Sequence, residues 1–418
     1  MEYPTTSWHQ RPNWWQYSHG MWQHLKSWTV SQRTPLLVGL LSRLAILVVA
    51  LVAVRFADPV HPSGFLLHGG KPSSVPALDL FERWDAYWFL NIAREGYQYH
   101  GVQDQIGEVI LHKRETNITP FPLYPASIWL LGHLTGDLTF AALLVSLLCY
   151  LIALHLLYQL VRASDDRSVA TRTILYLSIY PTAFIFNAPY SESLYLLLAL
   201  LCLREAAAGR WLTAGAAGLG VAATRLAGSL LAPCAMVAIW RRQQPLQAVL
   251  CGGMVLLGMA GFFLYLYWLT GDPLAYFTAQ RGWEKGLVGP WTALGRLIAS
   301  PLETMNLVYL GTVALFVPLV VAAWRERGAV QDDRHASGGS PPRALPPEQA
   351  LFLGLGTLMP LCSSNPLGLP RYCMVLFPAF ILLGRYGRQL SVHLTIVVLF
   401  CLVHGWVMLQ WLTWRHSL

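Results

Sequence analysis

Long apolar runs separated by short polar turns dominate the chain, and their lengths predict helices that cross a membrane. A crossing helix takes about 20 residues for a hydrocarbon core of roughly 30 Å. Eleven runs qualify in whole or in part: 36–56, 138–161, 173–188, 190–206, 211–224, 226–240, 246–269, 303–324, 349–362, 371–387 and 390–411. The apolar stretch 119–134 opens on Pro120, Pro122 and Pro125 and reads as a re-entrant or interfacial segment. Residues 1–35 are polar with five tryptophans (Trp8, Trp14, Trp15, Trp22 and Trp28), the pattern of an interfacial or poorly ordered tail. Residues 57–118 form one long polar loop. Residues 325–348 read as a flexible Gly/Pro/Ser-rich linker. The chain therefore divides into a tail, 1–35, and one transmembrane domain, 36–418.

Composition excludes a soluble globule. Apolar residues make up 55% of the chain and charged residues 12%, with a mean hydropathy of +0.44. The net charge of +8 does not mark a nucleic-acid binder, because the basic residues lie in small clusters between apolar runs. Such clusters orient a membrane protein. With the N-terminus inside, the inner loops hold Arg162, Arg167, Arg172, Arg204, Arg210, Arg241, Arg242, Arg325, Arg327, Arg334, Arg343, Arg385 and Arg388, joined by Arg11, Lys26, Arg33 and Arg43. That is an N-in, C-out chain with residues 57–118 outside. The seven cysteines form no CxxC or Cys/His pattern and read as small hydrophobes, so neither a disulfide framework nor a zinc site is expected.

The acidic residues narrow the function. None falls near the centre of a span, where an ion-coupled transporter carries its carboxylates. They gather instead in the outer loop and at outer helix ends. The densest cluster, LDLFERWDAYWFLNIAREGY (78–97), spaces Asp79, Glu82 and Asp85 three apart, as one side of an amphipathic interfacial helix would. Trp84, Tyr87 and Trp88 add an aromatic surface that anchors a helix at headgroup level or stacks on sugar. Any of the three carboxylates can serve as a general base, or simply solvate the polar face. Other outer elements offer Asn187, Tyr190 and Glu192 in IYPTAFIFNAPYSESLY (179–195), and Arg225 in ATRLAGSL (223–230). Asp272, Gln280, Arg281 and Lys285 lie in GDPLAYFTAQRGWEKG (271–286), and Arg371 and Tyr372 in SSNPLGLPRYCM (363–374). Although far apart in sequence, all reach the same membrane face. Arg225, Arg281, Lys285 and Arg371 together suit a phosphate, so a base beside a phosphate pocket at a lipid interface suggests group transfer from a lipid-linked phosphate. No GxGxxG or Walker loop supports a nucleotide site. The sequon Asn117-Ile118-Thr119 lies outside.

These residues resemble a known family. RWDAYWFLNIAREGY (83–97), PFPLYP (120–125), YPTAFIFNAPYSESLY (180–195), ATRLAG (223–228), GDPLAYFTAQRGW (271–283) and PRY (370–372) are similar, in order, to the signatures of the PIG-V-like mannosyltransferases of GPI-anchor synthesis, prokaryotic members included. The resemblance implies an all-α polytopic GT-C glycosyltransferase fold whose first outer loop carries a catalytic acid, at Asp85 here. It implies an inverting transfer of mannose from a polyprenyl- or dolichyl-phosphate mannose donor to a lipid-linked glycan acceptor. It places the site on the outer or luminal face of a multi-pass protein of the plasma membrane, or of the endoplasmic reticulum in eukaryotic relatives. No cofactor is required, a divalent metal being possible at the outer carboxylates. A small membrane partner subunit is compatible with the reading. The alternatives are a lipid or solute transporter, an assembly subunit without chemistry of its own, and a GT-C enzyme with another sugar or a protein acceptor.

Overall fold

The computed structural model describes residues 14–56, 78–99, 117–281, 285–303, 305–333 and 344–416, with side chains described from residue 33, outside 78–79 and 328–333. Among the described residues the chain is helical apart from short turns and one isolated antiparallel bridge between Leu287 and Ser363. Helices α1 (Trp14–Phe56), α2 (Ala86–Glu95), α3 (Leu123–Thr135), α4 (Leu138–Arg162) and α5 (Arg167–Ile179) come first. Then follow α6 (Glu192–Ala207), α7 (Trp211–Ala222), α8 (Leu231–Trp240), α9 (Pro245–Thr270), α10 (Ala275–Arg281) and α11 (Pro290–Ala299). Helices α12 (Asn306–Asp333), α13 (Pro347–Leu361), α14 (Leu369–Cys373), α15 (Phe377–Tyr386) and α16 (Leu390–Leu412) complete the order. Proline sits at the first turn of α9, α11, α13, α14 and α15, where its missing N–H leaves no intrahelical bond unmade.

Among the described residues, five helices are long and apolar enough to cross a membrane: Arg33–Phe56, Leu138–Arg162, Pro245–Thr270, Asn306–Arg327 and Leu390–Leu412. Their exposed leucines and valines, such as Leu41, Leu256, Leu264 and Leu402, are the surface lipid would cover. The other predicted spans are shorter helices, so length and composition stop at five rather than reaching eleven. The stretch 119–134 becomes α3, whose 13 residues extend about 20 Å and fall short of the bilayer core. It doubles back on α4 through Gly136, in the left-handed conformation, and Asp137, whose carboxylate caps α4 at the Phe140 N–H.

Two boundaries differ from expectation. α1 begins inside the segment read as a tail, because no proline interrupts it before Pro35. α12 runs on to Asp333, through the first third of the segment read as a flexible linker; RERGAVQDD holds no proline and one glycine. Residues 1–13, 57–77 and 334–343 lie outside the described residues.

The short helices share a construction. The chain leaves helical geometry between α5 and α6, between α7 and α8, and between α13 and α15, and side chains together with backbone N–H groups from other segments meet freed carbonyls there. Non-helical backbone at membrane depth is tolerated only on that condition. Arg43 of α1 is counted among the orienting charges on sequence alone. In the structure it is buried, donating to the Ser178 and Ala183 carbonyls at 2.8 and 2.6 Å and to Asn187 Oδ1 at 2.8 Å, with its guanidinium 4.4 Å from the Tyr150 ring centre. Ser146 donates to the Ala188 carbonyl, Tyr195 to Ala227, and the Leu123 N–H to Ala223. Close helix packing supplies the rest of the frame. A Cβ on Gly258 of α9 would stand 2.1 Å from the Leu219 carbonyl oxygen of α7, so only glycine permits that crossing.

At the opposite end of the bundle, Arg385 grips Asp165 through two hydrogen bonds of 3.1 and 2.9 Å, and Arg388 meets Asp166 at 3.0 Å. Asp166 also caps α5. The Val169 N–H, with Arg388, holds its carboxyl below the usual carboxylate range. The basic turns of the orientation pattern are thus partly consumed in ion pairs between helices.

The burial of Arg43 makes a prediction. Arg43→Met leaves two carbonyls and the Asn187 amide without their charged partner. A loss of about 3 kcal/mol is expected, seen as a lower midpoint of thermal unfolding in detergent. Arg33→Met, at an exposed position of the same helix, should leave the midpoint unchanged.

Candidate active site

The breaks between helices converge on one cavity of about 220 Å³. Asp85 enters it from the N-terminus of α2, Ser191 and Glu192 from the start of α6, and Thr224 and Arg225 from the break after α7. Gln280 comes from α10, Lys285 from the segment beyond it, and Arg371 and Tyr372 from α14. Trp84, Trp88, Phe89, Phe121, Tyr276 and Met359 supply apolar wall. Asp85 and Glu192 both sit at helix N-termini, where the backbone dipole favours negative charge. Arg225 is in extended conformation, held out of both neighbouring helices.

Four of these charges form a chain. Glu192 Oε1 accepts from Arg225 Nη1 and lies 3.3 Å from Arg371 Nε. Arg371 Nη1 in turn donates to Asp85 Oδ2 at 2.6 Å. The side chains of Glu192 and Arg371 are 2% and 7% exposed, whereas that of Asp85 is 36% exposed. Glu192 is therefore a fixed internal counter-ion, and Asp85 is the carboxylate that an incoming molecule meets. The Tyr372 ring lies under three cations, with Arg225, Lys285 and Arg371 at 4.7, 5.6 and 5.8 Å from its centre. Lys285 Nζ also donates to its hydroxyl at 3.4 Å. Pairing of residues 286–288 with 362–364, through Val288 N–H to Cys362 O and Ser364 N–H to Gly286 O, brings Lys285 to α14. Among the described lining residues, Arg225, Lys285 and Arg371 stand against Asp85 and Glu192 alone, an excess of one positive charge.

Asp85 is held by its neighbours rather than by a continuous helix. Residues 78–97 are predicted as one amphipathic helix. Instead, a short 3₁₀ turn, Leu78–Phe81, precedes a break, and α2 starts only at Ala86. Trp84 in the break has φ +55°, a left-handed conformation costing a non-glycine residue of order 1 kcal/mol. Tertiary contacts compensate for it. Trp84 Nε1 donates to the Trp411 carbonyl at 3.3 Å, and Arg83 Nε reaches the Leu412 carbonyl at 3.5 Å, both at the C-terminal end of α16. The Trp414 ring packs 5.1 Å from Trp84 and 5.2 Å from the Arg83 guanidinium. The Tyr190 hydroxyl donates to the Arg83 carbonyl at 3.0 Å and accepts from the Asp85 N–H at 3.1 Å.

The break separates the three candidate carboxylates. Glu82 turns to Thr139 at the head of α4 and does not line the cavity. The Asp79 side chain lies outside the described residues. Of the candidate phosphate ligands, Arg225, Lys285 and Arg371 are brought together, while Arg281 is exposed at the end of α10 and outside the lining. Trp84, Trp88, Glu192, Gln280 and Tyr372 line the cavity; Tyr87, Asn187, Tyr190 and Asp272 do not. Asn187 is bound on both sides by Arg43, donating to its carbonyl at 3.2 Å and accepting from its guanidinium. Asp272 caps the Leu274 N–H and accepts from Thr278 within its own turn. Tyr190 acts through the Asp85 loop. The sequon residue Asn117 is 2% exposed and fully bonded, accepting from the Gln98 N–H and donating to Asn91 and Gly96. Glycan attachment there is incompatible with the fold. Thr224, Met359 and the α16 clamp escaped the sequence reading. Only the closely spaced tryptophans of WLTW (411–414) hinted at the clamp.

The fold and this cavity define a multispanning helical membrane protein with a buried charged site at converging helix breaks. Residues 73–226 match the family model described as Mannosyltransferase (PIG-V), which bears out over that segment the resemblance carried by the motifs. The segment contains Asp85, Glu192 and Arg225; Lys285 and Arg371 lie beyond it. No curated relative matches the chain. Among solved structures, the crystal structure of the Archaeoglobus fulgidus oligosaccharyltransferase complex with Zn and sulfate is similar at 11% identity and a TM-score of 0.39. That likeness covers 88% of this chain and 52% of that one, so the chain spans about half its length, and it is too slight to carry an argument. Among the described residues no three His, Cys, Asp or Glu side chains come together as a metal site would require.

The Asp85 loop can be tested through Tyr190. Tyr190→Phe keeps the ring beside Arg371 and removes the hydroxyl that ties Arg83 to Asp85. In the transfer reaction proposed below, turnover should fall about tenfold, the worth of one well-placed hydrogen bond, with KM and thermal midpoint nearly unchanged. An equal fall in the midpoint would mark Tyr190 as purely structural.

Proposed function

We propose that the protein is an inverting GT-C mannosyltransferase that moves mannose from a polyprenyl- or dolichyl-phosphate donor to a lipid-linked glycan acceptor. The observation that carries the reading is the placement of Asp85, a half-open carboxylate, in one cavity with Arg225, Lys285 and Arg371. The excess of one positive charge among the described lining residues suits a phosphodiester, which carries one negative charge. A proton-conducting or ion-coupled carrier has less use for that arrangement, since the buried carboxylate Glu192 is already committed to two arginines.

In this reading Asp85 accepts the proton of the acceptor hydroxyl as its oxygen bonds to the anomeric carbon. The bond between that carbon and the donor phosphate oxygen breaks, and the electron pair leaves with the lipid phosphate. Attack from the face opposite the phosphate inverts the anomeric centre, so a β-linked donor yields an α-mannoside. Arg225, Arg371 and Lys285 stabilise the charge that grows on the leaving phosphate. Trp84 and Trp88 offer a surface against which a sugar ring stacks. The family match supports the sugar, and the polyprenyl carrier and glycan acceptor extend that reading.

The test is transfer of labelled mannose from synthetic polyprenyl-phosphate mannose into a lipid extract by the purified protein. Asp85→Asn should lower turnover by about 10²- to 10⁴-fold, the range of a general base, with its fold intact by thermal melting. Full activity in that variant removes Asp85 from the chemistry. Transfer of a different sugar, with mannose refused, replaces the donor.

A further inference from the structure

Arg371 faces two claimants. It donates to Asp85 at 2.6 Å, yet it lines the same cavity as Arg225 and Lys285, where an anion would sit. The two ends of the Asp85–Arg371 pair are not equally free. The Arg371 guanidinium is nearly enclosed, beside Glu192 at 3.3 Å and 5.3 Å from the Tyr190 ring centre. The Asp85 carboxylate projects from the start of a helix and is the most exposed member of the chain of charges. When an anion arrives, Asp85 is the partner that can turn away. A charge-assisted bond of this length also ties up the oxygen that receives it.

We propose that Arg371 is a latch on Asp85. In the anion-free site it holds the carboxylate in an ion pair, and the donor's phosphodiester releases the carboxylate by taking Arg371 for itself. Donor binding therefore precedes engagement of the acceptor hydroxyl, and the base is handed to the acceptor only when a leaving group is in place. This rests on the glycosyltransferase reading for the identity of the anion. It adds an order of binding and a second role for one arginine, neither of which that reading requires. The latch also guards against unproductive occupancy, because an acceptor arriving first meets a carboxylate whose charge is balanced by Arg371 at Oδ2.

The probe is methyl geranyl phosphodiester, which carries the single charge and an isoprenoid tail but no sugar, with geraniol as the uncharged control. Its binding is measured by calorimetry on the full-length protein in detergent. Asp85→Asn removes the competitor for Arg371 and should tighten diester binding about tenfold, on the scale of a close charge pair. Plain repulsion between Asp85 and phosphate predicts the same sign, so the decisive comparison is a double-mutant cycle with Arg371→Gln. The gain from Asp85→Asn should vanish in the Arg371→Gln background. A gain that persists there overturns the latch in favour of repulsion. A structure of the wild-type complex gives an answer independent of variant folding. The latch requires Asp85 and Arg371 to part beyond about 4 Å, the limit of an ion pair. A pair still at hydrogen-bond distance overturns the latch and leaves the donor pocket standing. Binding of geraniol as tight as the diester, or no diester binding at all, overturns the latch and the donor pocket together.

Discussion

The Glu192 carboxylate holds the site together. Its side chain is almost wholly buried, and a lone ionised carboxylate in that position would be prohibitively costly. It is tolerable because Arg225 and Arg371 approach it from two other parts of the chain. Both arginines need Glu192 in turn, for Arg371 is buried and Arg225 only slightly exposed. Removing one member of such a cluster leaves uncompensated charge and typically costs about 3–5 kcal/mol. The break after α7, the start of α6 and the short helix α14 thus meet at one point, which no hydrophobic contact would specify as narrowly. Apolar packing in lipid holds helices together with little preference for azimuth; the charged cluster sets it.

That constraint explains why the functional side chains sit at helix ends. An arginine in mid-helix can reach only along the helix surface, and several helices cannot all turn such side chains to a common point. A chain that stops being helical can. The cost is a set of backbone carbonyls inside the membrane, met here by Arg43, Ser146, Tyr195 and the Leu123 N–H. The same helix ends place Asp85 and Glu192 at positive dipole termini, so backbone and side chains favour the same charge at the same place. Site and scaffold are a single solution, which is why Arg43, distant in role from any substrate, matters to the turn that precedes Glu192.

Much of this was legible in the sequence, and the illegible part has a physical cause. Apolar run lengths and loop charges specify depth along the bilayer normal, and they correctly sent Asp85, Glu192, Arg225, Gln280, Lys285 and Arg371 to one level of the bundle. They carry no information about azimuth. Asn187, Asp272 and Arg281 have the right depth and chemistry, but they face Arg43, their own turn and the outside of the bundle. The three-residue spacing of Asp79, Glu82 and Asp85 misled for a different reason. Periodicity implies a shared face only where the helix is unbroken, and Trp84 breaks it through contacts with Trp411 and Trp414, more than 300 positions away. A left-handed tryptophan is locally unfavourable, and tertiary contact overrode local preference at the residue before Asp85. Departures of that kind are expected at functional sites, where local conformation serves geometry rather than propensity.

The clamp on Trp84 makes the placement of Asp85 depend on the last helix described. Carbonyls at the C-terminus of a helix are unsatisfied and carry partial negative charge, so they attract N–H donors and cations. At the end of α16 the donors are Arg83 and Trp84, the two residues immediately before Asp85. The last helix described is therefore completed by the Asp85 loop, and the loop takes its geometry from that helix. Neither has its observed form without the other. Asp85 is fixed from behind by α16 and Tyr190 and from in front by Arg371. Of these holds, Arg371 is the one that an anion in the cavity can reach. A carboxylate anchored rigidly on its backbone side and electrostatically on its side-chain side can change partners without losing its position. In the reaction proposed above, that freedom lets one small cavity accept first a phosphate and then a hydroxyl.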